Sequence, residues 1–405
     1  MNTLSITRLA SAALLLAFLC APTQATTFVE TVRAAVERHP DYPLVEARRK
    51  VAAGYRQQAG SLLGGDPSVD LSATGDSLGS DYGYEEYIAG VSAPVWLPGQ
   101  RSAKSAIADN IALLADSELR KLSWEVAGEV LERAWKLRIA ETDMKQSMKQ
   151  WAAARALVQD IRHRHEVGEV SRNDLLLAQQ DLVEAEATYQ EAMNAVETAR
   201  LAWISYTGFR ELPEDLDSSS ELRNDRNLDR HPLLLAALAA VDTAAAKAED
   251  ARAQRRAPPQ VSLFAKRDRG SRQEDYTDSL GLAFSIPLGT HAPAAPAIAE
   301  AEAERTRSLA EANLLRRELE LRLSQAEQEL ASAIRLLQLA QQKYDYSHAR
   351  LKLAQRAFEL GEMDLYQLLL ARRQSNLATR DLKLRRLERK RAAARRNHAL
   401  GVIPQ

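Results

Sequence analysis

The stretch that decides the fold is "HEVGEVSRNDLLLAQ", residues 165–179, where a glycine interrupts a long run of good helix formers. Gly168 suits the left-handed residue just past a helix end. Ser171 and Asp174 have the spacing of a capping box that begins the next helix. The pattern returns as "FELGEMDLYQLLLAR" at 358–372. Each stretch therefore predicts two helices joined by a tight turn.

The repeated turn is part of a duplication of the whole chain. Three widely spaced pairs have nearly the same offset: Pro40 and Pro232 are 192 residues apart, and both Pro94 with Pro287 and Gly168 with Gly361 are 193 apart. A constant offset over such distances indicates two structural repeats. Each repeat is predicted to contain a helix near a His-Pro pair, two extended segments, a very long helix, the glycine turn and a returning helix.

The repeats predict the division of the chain. The predicted parts are a signal peptide at 1–25, a first repeat at 26–207 with a strand hairpin at 67–98 and a helical hairpin at 100–207, a polar linker at 208–230, and a second repeat at 231–405 with a strand hairpin at 258–288 and a helical hairpin at 290–400.

The first 25 residues have the features of a secretory signal. Arg8 precedes an apolar run at 12–19, and the small residues Thr23 and Ala25 favour cleavage after Ala25. Cys20 is the only cysteine and leaves with the signal, so no intrachain disulfide is possible. The chain has a formal net charge of -1, which gives no global basic excess for binding nucleic acid.

The extended segments alternate in polarity with the period of a strand that has unlike faces. On one side of the first and last segments lie Val69, Leu71, Ala73, Leu280, Leu282, Phe284 and Ile286, and Asp70, Ser72, Thr74, Ser279, Gly281 and Ser285 lie opposite. Segments of about 11 to 13 residues can cross a bilayer as tilted strands. Interfacial aromatics are expected beside the hairpins at Tyr82, Tyr84, Tyr87, Trp96 and Tyr276.

The helical segments are unusually long. Residues 100–166 contain no proline and only Gly128 as a breaker, which predicts a helix of roughly 100 Å. The returning helix has the three-four spacing of a left-handed coiled coil at Leu175, Ala178, Leu182, Ala185, Tyr189, Ala192, Val196, Ala199, Trp203 and Tyr206.

Four strands in one chain cannot close a membrane barrel, because bacterial outer-membrane barrels begin at eight strands and open sheet edges are not tolerated in lipid. Several chains must therefore contribute. Two copies would supply eight strands and three would supply twelve, and the sequence does not choose between them. Strands that continue into long paired helices predict a conduit.

The chain resembles the TolC-like outer-membrane efflux family, and most closely its CzcC-like heavy-metal cation branch. The resemblance covers the mature chain through both "RHP" helix starts, "GVSAPVWLPGQRSA" at 90–103, "GLAFSIPLGT" at 281–290 and the two glycine turns. It implies a mainly α fold with a small β part. In that fold, a homotrimer forms a twelve-stranded barrel in the outer membrane, which a helical barrel continues into the periplasm.

The resemblance also implies partners and site residues. Such a duct works with a periplasmic adaptor and an inner-membrane proton-driven pump. The adaptor-contacting tips correspond to Gly168, Glu169, Val170, Ser171, Gly361, Glu362, Met363 and Asp364.

Candidate lining of the entrance is Asp174 and Gln367. Relatives often carry acids six and nine positions after the second glycine, whereas this chain has Gln367 and Leu370 there. This departure disfavours an acidic cation-selecting ring.

Catalytic motifs are absent: the sequence has no phosphate loop, nucleophile elbow or zinc-protease motif, so neither an enzyme nor a cofactor is expected. His163 and His165 fall on different faces of a helix and make a poor metal pair. His39 and His231 precede prolines, where helix capping is expected. The basic run "KLRRLERKRAAARRNH" at 383–398 favours a solvated helix face over a nucleic-acid site.

Two functional classes remain at this stage. The leading hypothesis is a passive export duct for heavy-metal cations. The alternatives are a periplasmic coiled-coil scaffold or adaptor with soluble hairpins, and a duct of the same fold that exports organic compounds.

Overall fold

The computed structural model describes residues 27–80, 82–222, 226–288 and 292–403. The predicted signal peptide, with Cys20, lies outside the described residues. None of the helices in the described ranges is both long enough and apolar enough to cross a membrane.

Apart from one additional helix at the start of the first half, both halves of the chain have the predicted order of elements. The first half contains α1 (Phe28–Glu37), α2 (Tyr42–Gly60), β1 (Ser68–Gly75), β2 (Glu85–Pro94), α3 (Gln100–Glu166) and α4 (Arg172–Thr207). After a 3₁₀ helix at Glu214–Ser220, the second half contains α5 (Pro232–Ala253), β3 (Gln260–Arg269), β4 (Thr277–Ser285), α6 (Ala295–Glu359) and α7 (Leu365–Ala399). The duplicated pattern of a strand pair followed by a long helical hairpin is confirmed.

Two helix starts differ from the sequence expectation. Helix α1 was not predicted, although Thr27 and Glu30 form a complete capping box at its start. His39 is not the N-cap of α2, because that position is held by Asp41. His231 is an N-cap as predicted, and its ring accepts a hydrogen bond from the Leu233 amide at 3.2 Å.

The chain forms two compact units that differ from the two sequence repeats. The first unit comprises residues 27–39, 123–222 and 322–403, and the second comprises 40–80, 82–122, 226–288 and 292–321. Because α3 and α6 each contribute residues to both units, each unit is assembled from both repeats.

The first unit has a helical core built around two tryptophans and many small residues. Trp135 and Trp203 are fully buried. The coiled-coil spacing predicted for α4 matches its packing, since Ala178, Ala192, Val196, Ala199 and Trp203 are all buried. Alanines at these positions allow neighbouring helices to approach closely.

Packing against a neighbouring helix explains why Gly128 occurs within a helix of 67 residues. The His398 ring of α7 stacks on Trp124, with the ring centroids 4.2 Å apart. A Cβ atom at Gly128 would lie 2.6 Å from the His398 ring, so only glycine leaves room for it. The His398 Nε2 lies 2.9 Å from the Trp124 carbonyl oxygen, and the Trp124 indole donates to the His398 carbonyl at 2.9 Å.

Gly128→Ala should therefore destabilise the protein by about 1–3 kcal/mol through overpacking. Gly54→Ala is the matched control, because a Cβ at this helical position of α2 meets no atom within 4 Å. It should stabilise by about 0.5–1 kcal/mol, since alanine is the better helix former. Thermal melting of the purified protein would measure both, and equal melting temperatures for the two variants would contradict this account.

The stacked histidine also predicts a pH dependence. Burial lowers the pKa of His398 below its usual range. The unfolded chain therefore binds a proton near pH 6.5 that the folded chain does not, and stability falls as the pH drops below that value. Between pH 7.5 and pH 5.5, the melting temperature of the wild-type protein should fall more than that of the His398→Gln variant. The same loss in both would show that other groups are responsible.

The basic run of α7 is ion-paired, so the prediction of a solvated face is wrong for its central arginines. Arg391 and Arg395 both bind Glu132 of α3, and Arg395 also binds Glu329 at 2.6 Å. Burial favours a raised pKa for Glu132, but the two guanidinium groups outweigh it and hold the pKa below the usual range. These charges stabilise helix packing within the chain.

The second unit packs α2, α5 and the first part of α3 around a small cluster. Ala52, Ile107, Ile111 and Ala246 are its buried members. The four strands belong to the same unit.

Candidate functional site: a two-faced sheet and two hairpin turns

The four strands form one antiparallel sheet in the order β1-β2-β3-β4. The strand hairpins of the two repeats are joined by the pairing of β2 with β3, in which Val91 lies opposite Leu263 and Ser92 opposite Ser262. Because side chains alternate along a strand, this register places the apolar residues of both hairpins on one face.

The apolar face of the sheet is exposed in the single chain. Its members are Val69, Leu71, Ala73, Tyr87, Ala89, Val91, Leu263, Ala265, Leu280, Leu282 and Phe284. Leu71 is 77% exposed, Leu280 is 76% and Phe284 is 67%. A contiguous apolar surface of this kind marks contact with a membrane or with another protein. Charged residues occur on this face only near the loops, where Arg269 binds Glu85 at 3.0 Å.

The opposite face is largely polar and its side chains bind one another. Lys266 of β3 forms an ion pair with Glu86 of β2 at 2.6 Å. Ser92 donates to Asp70 of β1 and lies 2.8 Å from the Ser262 hydroxyl, so one hydrogen-bonded chain crosses three strands. These contacts stabilise a surface suited to water.

Two strand glycines make room for the one large aromatic of the polar face. Phe264 lies opposite Gly90 on β2 and Gly281 on β4. A Cβ at Gly90 would lie 2.9 Å from the Phe264 Cβ, and a Cβ at Gly281 would overlap the ring. Glycine is therefore required on both sides of Phe264.

The outer strands of the sheet each have one neighbour among the described residues. In that part of the chain, β1 pairs only with β2, and β4 pairs only with β3. An unpaired edge exposes backbone N–H and C=O groups that can pair with a strand of another chain. Both outer strands therefore offer a backbone edge to a further strand.

The two helical hairpins turn through the same backbone geometry. Gly168 and Gly361 have φ values of +81° and +75°, as the glycine prediction requires. In the first turn Gly168 N–H donates to His165 O at 3.0 Å and Glu169 N–H to Arg164 O at 2.8 Å. Both turns are Schellman motifs, since the second repeats these bonds at Gly361 and Glu362.

The helix after each turn begins with a capped amide. The Ser171 hydroxyl accepts a hydrogen bond from the Asp174 amide at 3.1 Å, and the Asp174 carboxylate accepts one from the Ser171 amide. These two bonds confirm the capping box. In the second repeat, Asp364 accepts from the Gln367 amide at 2.8 Å. The Asp174 carboxylate thus serves the cap, and Gln367 is exposed.

An apolar cluster directly behind the turns joins the two hairpins. Ile161 of α3, Ala178 of α4, Ala354 of α6 and Leu368 of α7 are buried in it. Val170, Leu175 and Met363, which lie beside the two helix starts, pack against the same cluster. Both turns are therefore held together at one end of the first unit.

The outermost side chains include two that sequence reasoning missed. Val167 and Leu360, each immediately before its glycine, are 59% and 60% exposed. Each turn thus presents an apolar side chain, a glycine and an acidic residue, Glu169 or Glu362, to its surroundings. The equal offset of 193 residues from Val167 to Leu360 was the signal that could have identified them.

Acidic and basic side chains face each other near the start of α4 and α7. Burial raises the pKa of Asp181, against the opposing effect of Arg372 and Arg373. Burial likewise lowers the pKa of Arg372, and Arg373 forms an ion pair with Glu184. Asp181 and Glu184 are acids of this end of the hairpins that the motif comparison did not identify.

One of the two histidines before the first turn has a structural role. The His165 Nδ1 lies 3.0 Å from the Val170 carbonyl oxygen and so closes the turn. Among the described residues, no group of three or more His, Cys, Asp or Glu side chains could hold a metal ion.

No protein-family model matches the chain, and no curated protein matches it. Solved structures do. The outer membrane protein VceC from Vibrio cholerae is 16% identical with a TM-score of 0.69, over 92% of this chain and 96% of that chain. CusC, described in work on transmembrane channel formation, is 16% identical with a TM-score of 0.70 over 95% of each chain.

A third similar structure is the open state of the MtrE outer membrane channel from Neisseria gonorrhoeae. It is 17% identical with a TM-score of 0.67, over 92% of this chain and 88% of that chain. At these identities the similarity establishes the fold. The predicted fold class, mainly helical with a small antiparallel sheet as in outer-membrane channels, is confirmed.

Proposed function

We propose that this chain is the outer-membrane exit duct of a tripartite efflux system. In this proposal, three copies assemble as a homotrimer in which their twelve strands close a barrel in the outer membrane, and the long helices form a passage in the periplasm. The duct conducts its cargo passively, without catalysis or a cofactor.

The observation that carries the proposal is the sheet. It exposes a continuous apolar face, has a hydrogen-bonded polar face and leaves both edges without a partner among the described residues. In lipid, strands are stable only when every edge is paired. Closing copies of this sheet edge to edge pairs all edges, turns the apolar face to lipid and encloses the polar face around water.

The hairpin turns supply the partner contact in this proposal. Gly168 to Ser171 and Gly361 to Asp364 form equivalent turns that present Val167 and Leu360 beside their glycines. Two equivalent tips per chain give six per trimer, which suits a periplasmic adaptor that connects the duct to an inner-membrane proton-driven pump. Asp174 and Gln367 are proposed to lie near the entrance that these tips surround.

The proposed cargo is a heavy-metal cation. This assignment rests on the resemblance of the paired sequence motifs to the CzcC-like branch. A passive duct needs no metal ligands of its own, since selection takes place in the pump.

A pair of neighbouring substitutions tests the orientation of the sheet. Leu282→Arg places a charge on the apolar face, which costs about 2–4 kcal/mol near the bilayer midplane. Ala283→Arg places the same charge one residue further on, on the polar face. We expect Leu282→Arg to abolish the outer-membrane oligomer and Ala283→Arg to retain it, measured by membrane fractionation and by ion conductance in a planar bilayer. A soluble wild-type monomer, or equal tolerance of both changes, would contradict the duct and favour a periplasmic scaffold.

Substitution at the tips tests partner contact. In a double variant, Gly168→Val and Gly361→Val force a β-branched residue into the left-handed region, at a cost of roughly 1–2 kcal/mol per site. A Cβ meets no atom within 4 Å at either glycine, so the change acts on the turn itself. We expect a normal amount of assembled oligomer but impaired export. The control is Glu166→Val with Glu359→Val, which places valine at the last helical residue before each turn.

Export is measured by growth of a deletion strain that carries each variant, across divalent metals and hydrophobic drugs. Restoration of metal tolerance by wild type and the control, but not by the tip variant, would support both the tips and the cation cargo. Restored drug tolerance alone would reassign the cargo to organic compounds. Full export by the tip variant would remove the tip assignment.

A further inference from the structure

A basic cavity lies where the strands give way to helices in the second compact unit. Its volume is about 750 Å³, and its lining comes from the link between β2 and α3, the end of α5 with its link to β3, and the start of α6. Nothing in the proposed export step uses it. The cavity lies beside the end of β2 and the start of β3, a position that the proposed function places at the membrane surface. The role inferred for the cavity therefore rests on that function.

The charge of the cavity is unbalanced. Lys104 is neutralised by Asp250, which accepts from its ammonium group at 2.7 Å and is 7% exposed. Three further lining cations are Lys247, Arg255 and Arg256. Among the residues that the structure describes, none of these three has a carboxylate within ion-pair distance, in contrast to Arg391 and Arg395 of α7. Three unpaired cations around one cavity favour an anionic ligand.

Two of the three cations, Arg255 and Arg256, lie on a segment whose backbone is hydrogen-bonded to the start of α3. Gln100 is 3% exposed, and its amide donates to the Arg256 carbonyl at 2.9 Å and to the Ala253 carbonyl at 3.3 Å. Beyond it, the Val95 amide donates to the Pro259 carbonyl at 2.8 Å. The backbone that carries Arg255 and Arg256 is therefore tied to the start of α3. These hydrogen bonds define the Cα positions from which the two side chains extend.

The same cavity has an apolar side. Trp96, Pro258 and Pro287 contribute to its lining, and the Trp96 indole donates to the Ser61 carbonyl at 3.0 Å. Ile286 and Leu288, on either side of Pro287, are 69% and 94% exposed. Tryptophan beside lysine and arginine is typical of a membrane interface. A small soluble anion would leave these apolar residues uncovered, whereas a lipid would cover them.

We propose that this cavity binds the phosphate headgroup of an anionic glycerophospholipid. Lys247, Arg255 and Arg256 contact the phosphate, Trp96 lies at the level of the glycerol, and the acyl chains run along Ile286 and Leu288. The bound lipid fixes the depth at which the sheet sits in the bilayer.

Lipid titration followed by native mass spectrometry tests the site on the full-length oligomer in detergent. The probes are phosphatidylglycerol and phosphatidylcholine with the same acyl chains, with inorganic phosphate as competitor. We expect phosphatidylglycerol to bind about tenfold more tightly or better, since each Lys or Arg near a membrane surface contributes appreciably to anionic-lipid binding. Inorganic phosphate at the same concentration should not displace it.

Three variants assign the binding to the cavity. Replacing Lys247, Arg255 and Arg256 together by Gln should weaken phosphatidylglycerol binding about tenfold or more. The control replaces three exposed basic residues outside the lining, Lys50, Arg317 and Lys352, by Gln and should change binding less than about twofold, because the net charge alone changes. A charge-retaining variant, Lys247→Arg with Arg255→Lys and Arg256→Lys, should bind like wild type.

Equal binding of the two lipids, or equal losses in the cavity and control variants, would overturn the proposal. Displacement by inorganic phosphate would show a free-anion site and would also overturn it. Conductance of the same preparation in a planar bilayer separates this failure from that of the proposed function. A conducting oligomer without lipid preference would remove only the lipid site, and a preparation that never conducts would remove the duct.

Discussion

The hydrogen-bonded pairing of β2 with β3 is the constraint on which the rest of the structure depends. Within the part of the chain that the structure describes, it is the only strand pairing between the two repeats, and it runs over ten residue pairs from Glu85 with Arg269 to Pro94 with Gln260. A shift of one residue would turn every side chain of one hairpin to the other side. The apolar and polar faces would then each become a mixture, and neither face would suit lipid or water.

The helices that follow the sheet are equivalent in the two repeats. β2 and β4 are the second strands of their hairpins, and each is followed by a long helix, α3 or α6. These helices end at two turns with the same Schellman geometry, held together by one apolar cluster. The N-cap is Ser171 in the first repeat and Asp364 in the second, and in each case a side-chain oxygen accepts a hydrogen bond from the amide three residues further on. The backbone conformation of the turn is therefore the same in both repeats, although the side chains differ.

Sequence reasoning succeeded where the determinant is local. The glycine turns, the cap at Ser171 and the alternation of the strands depend on residues within a few positions of one another, and the structure contains them. It failed at His39, because the neighbouring Asp41 is the N-cap of α2, and it missed α1, whose capping box at Thr27 and Glu30 was visible.

The remaining features depend on residues far apart in the chain. Glu132 meets Arg391 and Arg395 across about 260 positions, so the run that looked solvated is paired. The basic cavity likewise combines α5 with the links on either side of the sheet. Local sequence patterns cannot show which cationic side chains form ion pairs with carboxylates and which do not. The role of the tips and the lining of the entrance stay predictions for the same reason, since both depend on other chains.

The contact between Gly128 and His398 restricts how this protein can change in length. Two long helices with repetitive alanine-rich faces could slide past each other, but the ring of α7 fits α3 only at the one residue without a side chain. An insertion or deletion between Gly128 and the first turn would move the turn relative to this fixed point. Only matched changes in α4, α6 and α7, in steps that preserve the seven-residue repeat, would keep the two turns together and retain the contact. Length variation among natural variants should therefore come in heptad-sized steps that are matched in all four helices on that side of Gly128.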